Sequence, residues 1–330
     1  MGDYDDSAET IESAYAGMLG FATRYSEYRS LAAKLRAAGP PAPRVQATPI
    51  ILDTDIGGDP DDAFAVACAA RLPELALVVT ADEIHGRRAR FARHLLDLRG
   101  RPEVPVIRGA DLGNTRYWSV DGLIPDNIAN QPNDVLGAVE ALCAGTDGPV
   151  RWVGCGPLTN LADILRASPE LKNQLVVTQM GGAITYPDPA RAEHNFRLDP
   201  DAARFVVATV AELTLVPSDV TFTEEIAIHA DTGLYRCLAA ADAPAWAALL
   251  ADHLDRWFSS FYPSSKQHDP LALTVALELP FVELTRPAIA LDADGCVSVE
   301  PGGHPTWVAT AADYPAFRRW LSAHLTDVAV

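Results

Sequence analysis

The chain has few cysteines, few lysines and no long hydrophobic run, and each shortage excludes a class of protein. Its cysteines (Cys68, Cys143, Cys155, Cys237 and Cys296) are odd in number and never form a CxxC pair. This spacing argues against a disulfide framework and against a zinc site. No apolar stretch in the 330 residues approaches the length of a membrane span.

Positive charge is also scarce. The 26 Lys and Arg residues face 44 Asp and Glu residues, for a formal net charge of -18. Because binding to nucleic acid or anionic membranes relies on clustered Lys and Arg, we expect neither as a partner. The acidic start, Met1 to Asp6, lacks the basic segment and apolar core of a secretory signal. We therefore expect a soluble, cytoplasmic protein whose ligands are small molecules and metal cations.

The first 47 residues differ from the rest of the chain. The stretch from Ser7 to Ala38 has helical spacing of its apolar residues, and a glycine and three prolines follow between Gly39 and Pro43. Such residues break a helix. We predict a helical extension with a Pro-rich linker over residues 1–47 and one large domain over residues 48–330. With 48% hydrophobic residues, the chain can bury a large core.

Short apolar segments alternate with helical segments from Thr48 onward. The predicted buried strands are Pro49–Leu52, Leu75–Thr80, Val104–Ile107, Val150–Val153, Leu175–Thr178 and Leu213–Val216. The predicted helices include Asp61–Arg71, Arg87–Leu98, Leu158–Ala167 and Pro200–Ala208. This alternation predicts an α/β fold with a mainly parallel open sheet and helices on both faces. Such sheets bind ligands at the carboxyl ends of their strands.

The C-terminal third has a different pattern. Residues Ala243 to Tyr262 predict a long helix rich in aromatic residues, and a second helix is predicted to start at Pro270. From Pro280 to Val308 the pattern predicts antiparallel strands at a sheet edge, with a turn around Gly295, before a closing helix.

Five aspartates crowd into ten residues directly after the first apolar strand: Asp53, Asp55, Asp59, Asp61 and Asp62. Capping of the following helix explains one or two of them. Neighbouring carboxylates repel unless a cation, protons or sugar hydroxyls lie between them. Because hard cations such as Ca²⁺ take several carboxylate oxygens, the pattern predicts a metal or sugar-binding site.

The segment Asp53-Thr54-Asp55-Ile56-Gly57, followed by Asp61-Asp62-Ala63, resembles the N-terminal signature of the inosine–uridine-type nucleoside hydrolases. Three further segments resemble motifs of the same family in the same order. They are Gly154-Cys155-Gly156-Pro157-Leu158-Thr159-Asn160, then Met180-Gly181-Gly182 with Glu193-His194-Asn195 and Asp199-Pro200, and finally His268-Asp269-Pro270. The resemblance spans roughly Pro49 to Trp320.

This resemblance implies a hydrolase that cleaves the N-glycosidic bond of a nucleoside or related N-riboside with Ca²⁺, and that assembles as a homo-oligomer. The implied ligands of Ca²⁺ are the side chains of Asp55, Asp62 and Asp269 and the backbone carbonyl of Cys155. Asp53 is expected to orient the loop from behind these ligands. The implied substrate-binding residues are Asp61, Met180, Glu193 and Asn195.

Cleavage of an N-glycosidic bond needs a deprotonated water and a stabilised leaving base. Asp55 is the candidate acceptor of the water proton, and His268 is the candidate general acid because imidazole titrates near neutral pH. Aromatic residues can stack on a flat base, so Trp257, together with Phe258 and Tyr262, is a candidate base contact. Burial in the long helix is the alternative for these residues. For Trp118, after the third strand, contact with the base and burial are likewise both possible.

The chain departs from the family pattern in the substrate half of the site. Where the family has an asparagine after the second strand, this chain has Asp82 and Glu83, and either could replace it. A second expected asparagine falls near Pro187, and an expected histidine appears as Asp121. Two other classes therefore stay open: a protein that binds nucleosides or sugars without turnover, and a haloacid-dehalogenase-type phosphatase, which also begins with a strand followed by Asp-x-Asp.

Overall fold

The computed structural model describes residues 17–25, 28–38, 48–188 and 190–326. The fold divides between Thr48 and Pro49 into two units. In the first unit, residues 17–24 are helical (α1) and Arg29–Ala38 forms α2. The predicted linker from Gly39 to Pro43, and residues 7–16 and 26–27 of the predicted helix, lie outside the described residues.

The second unit is built on a sheet whose strands come from both ends of the chain. Its strands, with those of two small sheets, are β1 Ile50–Thr54, β2 Leu75–Thr80, β3 Val106–Arg108, β4 Val150–Gly154, β5 Leu175–Met180, β6 Leu213–Val216, β7 Ala227–His229, β8 Ser264–Lys266, β9 Val282–Thr285, β10 Ala288–Leu291, β11 Val297–Val299, β12 His304–Pro305 and β13 Trp307–Ala312. The main sheet has eight strands in the order β3-β2-β1-β4-β5-β6-β13-β9. Every pair in it is parallel except β13 with β9. The predicted mainly parallel sheet is confirmed.

Helices cover both faces of this sheet. They are α3 Asp61–Ala69, α4 Arg87–Leu98, α5 Val135–Ala144, α6 Thr159–Ala167, α7 His194–Leu198, α8 Pro200–Thr209, α9 Ser218–Thr221, α10 Gly233–Leu238, α11 Ala245–Ser260, α12 His268–Ala276 and α13 Tyr314–Leu325. Along β1, Ile50 and Leu52 pack into one apolar cluster and Ile51 packs into another on the opposite face. A strand that is buried on both faces has a continuous run of apolar residues, and this run is why β1 could be predicted from the sequence.

The C-terminal strands follow the prediction in part. β9 is antiparallel to β13 at the edge of the main sheet, as predicted. β10, β11 and β12 instead form a separate three-stranded antiparallel sheet. β13 then joins the main sheet parallel to β6. Alternation of apolar residues gives strand positions but carries no information on which partner a short strand chooses.

In the described part of the chain, no helix combines the length and the apolar character that crossing a membrane would need.

Candidate active site

The loop between β1 and α3 begins the site. β1 ends at Thr54, and Gly57, with φ of +106°, turns the chain in a conformation that favours glycine. Helix α3 then starts with Asp61 and Asp62, neither of which caps it, because the capping position is Pro60. Helix capping therefore does not account for either carboxylate, and both lie at a helix end that favours negative charge.

Three buried carboxylates converge from two helix starts. Asp61 and Asp62 lie in the first turn of α3, and Asp269 lies in the first turn of α12. Each of the three residues offers one carboxylate oxygen, and these oxygens all lie within 4.8 Å of one another. The three residues are only 4%, 5% and 2% exposed. We call Asp61, Asp62 and Asp269 the carboxylate trio.

The electrostatics of the trio favour a cation. Burial, and then the charges of neighbouring aspartates, raise the pKa of Asp61, Asp62 and Asp269 well above the usual range of an aspartate. The Thr54 hydroxyl donates to Oδ1 of Asp62 over 2.5 Å, and backbone hydrogen bonds from Asp62 and Asp269 to the Asp61 carboxylate oppose the rise in its pKa. Three oxygen donors at helix starts match the preference of a hard divalent cation, so the residues present fit such an ion.

Asp55 lies beside the trio but does not belong to it. Its charge acts on Asp62 and Asp269 and raises the pKa of both. Its Cβ packs against the loop after β4, where a methyl group on Gly156 would lie 3.2 Å away. Of the four ligands that the resemblance implied, the structure brings the carboxylates of Asp62 and Asp269 together with that of Asp61, and the roles of Asp55 and the Cys155 carbonyl stay predictions.

Asp53 lies behind the trio, on β1. Its Oδ1 accepts a hydrogen bond of 2.9 Å from the side-chain amide of Asn160, and burial raises its pKa to about 8. The same amide group donates to the Thr80 carbonyl, and its oxygen accepts from the Ala110 backbone. Asn160 therefore joins the ends of β1, β2 and β3, a role that the sequence analysis missed.

The loop after β4 places Cys155 against the cluster. Its thiol pKa is raised well above the usual range, first by burial and then by nearby aspartate charges, with Asp269 and Asp62 the largest of them. Its carbonyl oxygen accepts a hydrogen bond of 3.0 Å from the amide of Asn195, which also donates to the carbonyl of Met180. A carbonyl oxygen has two lone pairs, so this bond leaves one for another partner.

Glu193 is buried and holds the loop after β5. Its Oε2 accepts from the backbone N–H groups of Gly182, Asn195 and Phe196 at 2.9, 3.0 and 3.3 Å. The residue caps α7 with this one oxygen. Burial raises its pKa, and the three backbone bonds oppose that rise.

The two acidic residues after β2 have different surroundings. Glu83 is occupied: its carboxylate accepts from the Thr80 hydroxyl, from the Ile84 N–H, and from the N–H groups of Arg88 and Ala89 in the first turn of α4. Asp82 is fully buried with φ of +46°, and it pairs with Arg88 over 3.2 Å. Burial raises the pKa of Asp82 to about 7, against the opposing charge of Arg88.

His268 comes directly before Asp269 at the start of α12. Its Nδ1 lies 2.7 Å from the hydroxyl of Thr221, and its ring stacks on Phe222 with the ring centres 6.2 Å apart. Burial, followed by the charge of Lys266, lowers the pKa of His268 to about 3. The imidazole is therefore neutral near pH 7.

Trp257 is 3% exposed, and its indole N–H donates to the Ser264 carbonyl over 2.9 Å. Its ring lies in an aromatic group with Tyr117, Phe261 and Tyr262. Tyr117, which was not predicted from the sequence, is half-buried and more open than Trp257, and Tyr262 is the most exposed member of the group at 52%. It packs over Gly58 of the aspartate loop and contacts the ring of His194.

The segment after β3 covers the aspartate loop. Trp118 packs against Gly57 and its indole N–H donates to Asp121 over 2.6 Å. Ser119 donates to the carbonyl of Gly58 over 2.7 Å. His253 of α11 is fully buried and reaches both partners through Nε2, at 3.0 Å from that carbonyl and 2.9 Å from the Ser119 hydroxyl. These contacts fix the glycine turn between the two halves of the aspartate cluster.

Comparison with known proteins gives matches over nearly the whole second unit. A family model described as inosine-uridine preferring nucleoside hydrolase matches residues 50–328. The pyrimidine-specific ribonucleoside hydrolase RihA of Enterobacter sp. (strain 638) is 30% identical over 298 residues, which cover 81% of this chain and 88% of that protein. RihA of Escherichia coli (strain SMS-3-5 / SECEC) is 29% identical over 299 residues, covering 81% of this chain and 89% of that protein.

Solved structures share the fold at lower identity. A plant nucleoside hydrolase, PpNRh1, superposes with a TM-score of 0.71 at 21% identity, covering 86% of this chain and all of that one. An inosine-uridine preferring nucleoside hydrolase from Bacillus anthracis superposes with a TM-score of 0.69 at 17% identity, covering 85% of this chain and all of that one.

Proposed function

The chain belongs to the inosine-uridine preferring nucleoside hydrolase family, hydrolases that act on N-glycosyl bonds, and from that premise we propose that it cleaves ribonucleosides with Ca²⁺ bound at the carboxylate trio. The observation that carries the metal half of this proposal is the meeting of Asp61, Asp62 and Asp269 in a buried space. The phosphatase alternative has no support, because the family match extends over residues 50–328.

Asp62 and Asp269 are the proposed side-chain ligands of the ion, with the Cys155 carbonyl completing the protein's share. Asp55, beside the trio, is the proposed third side-chain ligand and the acceptor of the water proton, and Asp61 is the proposed contact of the ribose hydroxyls. When bound, Ca²⁺ supplies positive charge that holds a sugar diol and acidifies a water molecule. Because the Asp61 carboxylate lies within 4.8 Å of those of Asp62 and Asp269, it would be in reach of a ribose hydroxyl bound beside the ion.

The remaining residues orient the substrate. Asn195 and Glu193 hold the loops after β4 and β5 that face the sugar, and Asp82, Glu83 and Met180 are the other proposed parts of the sugar side. Glu83 acts through the helix start that it caps, since its carboxylate is already occupied. We place the base near the aromatic group, where Trp257 supports the more open Tyr117.

His268 assists the leaving base as a neutral imidazole. If Nδ1 accepts from the Thr221 hydroxyl, as the 2.7 Å distance allows, Nε2 carries the proton and donates a hydrogen bond to the base. With a pKa of about 3 in the free protein, full protonation at neutral pH would have to come with substrate binding. This refines the general-acid role that the sequence analysis assigned.

Residues 48–330 are the proposed catalytic domain, and we assign no role to the helical extension. The natural ligands are small-molecule nucleosides, with pyrimidine ribonucleosides the first to test because the curated relatives are named for them. We expect the protein to act as a homo-oligomer in the cytoplasm.

The test incubates purified protein with a panel of purine and pyrimidine nucleosides and detects free base and reducing sugar. We expect release with Ca²⁺ and its loss in Asp55→Asn. His268→Ala should lower kcat more than it raises KM. Calorimetry with Ca²⁺ alone, and then with D-ribose in the presence of Ca²⁺, separates the roles of Asp55 and Asp61: we expect Asp61→Asn to keep Ca²⁺ affinity and lose ribose affinity, and Asp55→Asn to lose Ca²⁺ affinity. Binding of nucleosides without turnover on the whole panel would instead show a binding protein.

A further inference from the structure

Arg88 is a buried arginine whose side-chain hydrogen bonds all go to the loops after β1 and β2, and whose guanidinium lies 5.9 Å from the ring centre of Trp118. It is the second residue of α4 and only 3% exposed. Its Nη1 donates to the backbone carbonyls of Asp55 and Ile56, the latter over 3.0 Å. Its Nε donates to the carbonyl of Asp82 over 2.6 Å, and Nη2 donates to Oδ2 of the same residue over 3.2 Å. The guanidinium therefore bridges the loop after β1 and the loop after β2.

Asp82 is held in an unusual conformation by this bridge. Its φ of +46° lies in the left-handed region, which a residue other than glycine adopts only when its surroundings hold it there. Asn114, from the segment after β3, donates to Oδ2 over 3.0 Å. Both donors thus use the same oxygen. Among the described residues, none donates to the buried Oδ1.

A buried carboxylate oxygen without a donor is costly unless a ligand supplies one. Asp82 is near the aspartate loop, since the charge of Asp55 acts on it. Arg88 and Asn114 occupy Oδ2 and so fix the direction of Oδ1. Only a planar, forked donor can reach three carbonyls and a carboxylate at once, and a lysine ammonium cannot reproduce that geometry.

We propose that Arg88 is a positioning residue, which sets the distance between the Asp55 loop and the Asp82 loop and leaves Asp82 Oδ1 open to a hydroxyl of the sugar. The identity of the ligand as a sugar rests on the proposed function, whereas the bridge between the two loops does not. It adds a specificity element: a sugar that lacks the hydroxyl facing Asp82 leaves Oδ1 without a donor and is rejected.

Helix α4 offers a matched control in Arg93. This arginine is also largely covered, and it donates to the carbonyls of Val104 and Arg101 over 2.6 and 2.8 Å and to Asp97 over 2.8 Å. None of these partners belongs to the site. Variants at Arg88 and Arg93 therefore remove equivalent guanidinium contacts from one helix, with only the former touching the two site loops.

The kinetic test compares Arg88→Lys and Arg88→Ala with Arg93→Lys and Arg93→Ala on a ribonucleoside and on its 2′-deoxy, 3′-deoxy and 5′-deoxy analogues. We expect the Arg88 variants to raise KM at least 10-fold and to lose at least 10-fold of the discrimination against one analogue. Asp82→Ala should lose discrimination against that same analogue. Millimolar methylguanidinium should partly restore the KM and the discrimination of Arg88→Ala but not the discrimination of Asp82→Ala. The Arg93 variants should keep wild-type kinetics.

A second measurement does not depend on turnover. Hydrogen exchange of the backbone amides around Asp55 and around Asp82 should become at least 10-fold faster in Arg88→Ala and stay unchanged in Arg93→Ala. If the wild type hydrolyses no nucleoside, the proposed function fails, while exchange and calorimetry with D-ribose in the presence of Ca²⁺ still test the bridge. Wild-type kinetics and exchange in Arg88→Lys, or equal effects of the Arg88 and Arg93 variants, would overturn the proposal.

Discussion

Replacing Asp269 by Asn should change the stability of the protein in opposite directions with and without Ca²⁺. The carboxylate oxygens of the trio lie within 4.8 Å of one another. Two unit charges at that separation repel by about 3.5 kcal/mol at an effective dielectric constant of ~20. Because the raised pKa values of the trio let protons relieve part of this repulsion, we expect a gain of about 1 to 2 kcal/mol on neutralisation in chelator.

With Ca²⁺ the sign reverses. At a dissociation constant of ~10⁻⁵ M and free Ca²⁺ of ~1 mM, binding stabilises the wild type by about 2.7 kcal/mol. Asp269→Asn should lose most of that stabilisation, because the amide removes one charged ligand from the ion. The assay is urea unfolding at pH 7 in chelator and in Ca²⁺, each followed by tryptophan fluorescence.

Asp313→Asn is the control for this experiment. Asp313 caps α13 by accepting from the Ala316 N–H over 2.9 Å, and asparagine caps helices as well as aspartate does. Its variant should respond to Ca²⁺ like the wild type. Lower stability of Asp269→Asn than of the wild type in chelator would contradict repulsion within the trio. Full Ca²⁺ stabilisation of this variant would contradict Asp269 as a ligand.

Two further predictions concern the framework of the site. In Gly109→Ala the new Cβ would lie 2.2 Å from the Thr80 carbonyl oxygen and 2.4 Å from the Asn160 amide. We therefore expect the free energy of unfolding in urea to fall by about 3 kcal/mol. Gly148→Ala is the control, because its new Cβ meets no atom within 4 Å and its stability should be nearly unchanged. Burial lowers the pKa of His253 from 6.5 to about 3. The folded protein therefore holds His253 in its neutral form. The stability that depends on this neutral form is fully present above pH ~6.5 and is lost as the pH falls toward 3. Between pH 7.5 and 5 the wild type should lose about 2 kcal/mol more stability than His253→Gln; parallel pH profiles would contradict the buried neutral imidazole.

Local sequence patterns were sufficient for most of the framework. The strands Leu75–Thr80 and Leu213–Val216 and the helix Arg87–Leu98 have the predicted bounds. Their apolar periodicity is strong and turn residues or charged residues mark their ends. The helix predicted from Pro270 in fact begins at His268, because a proline fits the first turn of a helix as well as its first position.

The site was predictable only in part. The five clustered aspartates pointed to a cation from their spacing alone, but Asp269 lies more than 200 residues away in the sequence, and only the family resemblance joined it to them. No pattern could show that the carboxylate of Asp61 would lie within 4.8 Å of those of Asp62 and Asp269, since that depends on how α3 and α12 meet. Arg88 was missed because an arginine in the first turn of a helix reads as a solvent-exposed residue.

The most direct test of the proposed Ca²⁺-dependent nucleosidase activity is a Ca²⁺ titration of protein stripped with chelator, with free base measured at each step on the best ribonucleoside of the panel. We expect no base release without Ca²⁺, saturable recovery as it is added, and no recovery in Asp269→Asn. Undiminished release in excess chelator, or full recovery in Asp269→Asn, would contradict a Ca²⁺ site at the meeting point of α3 and α12.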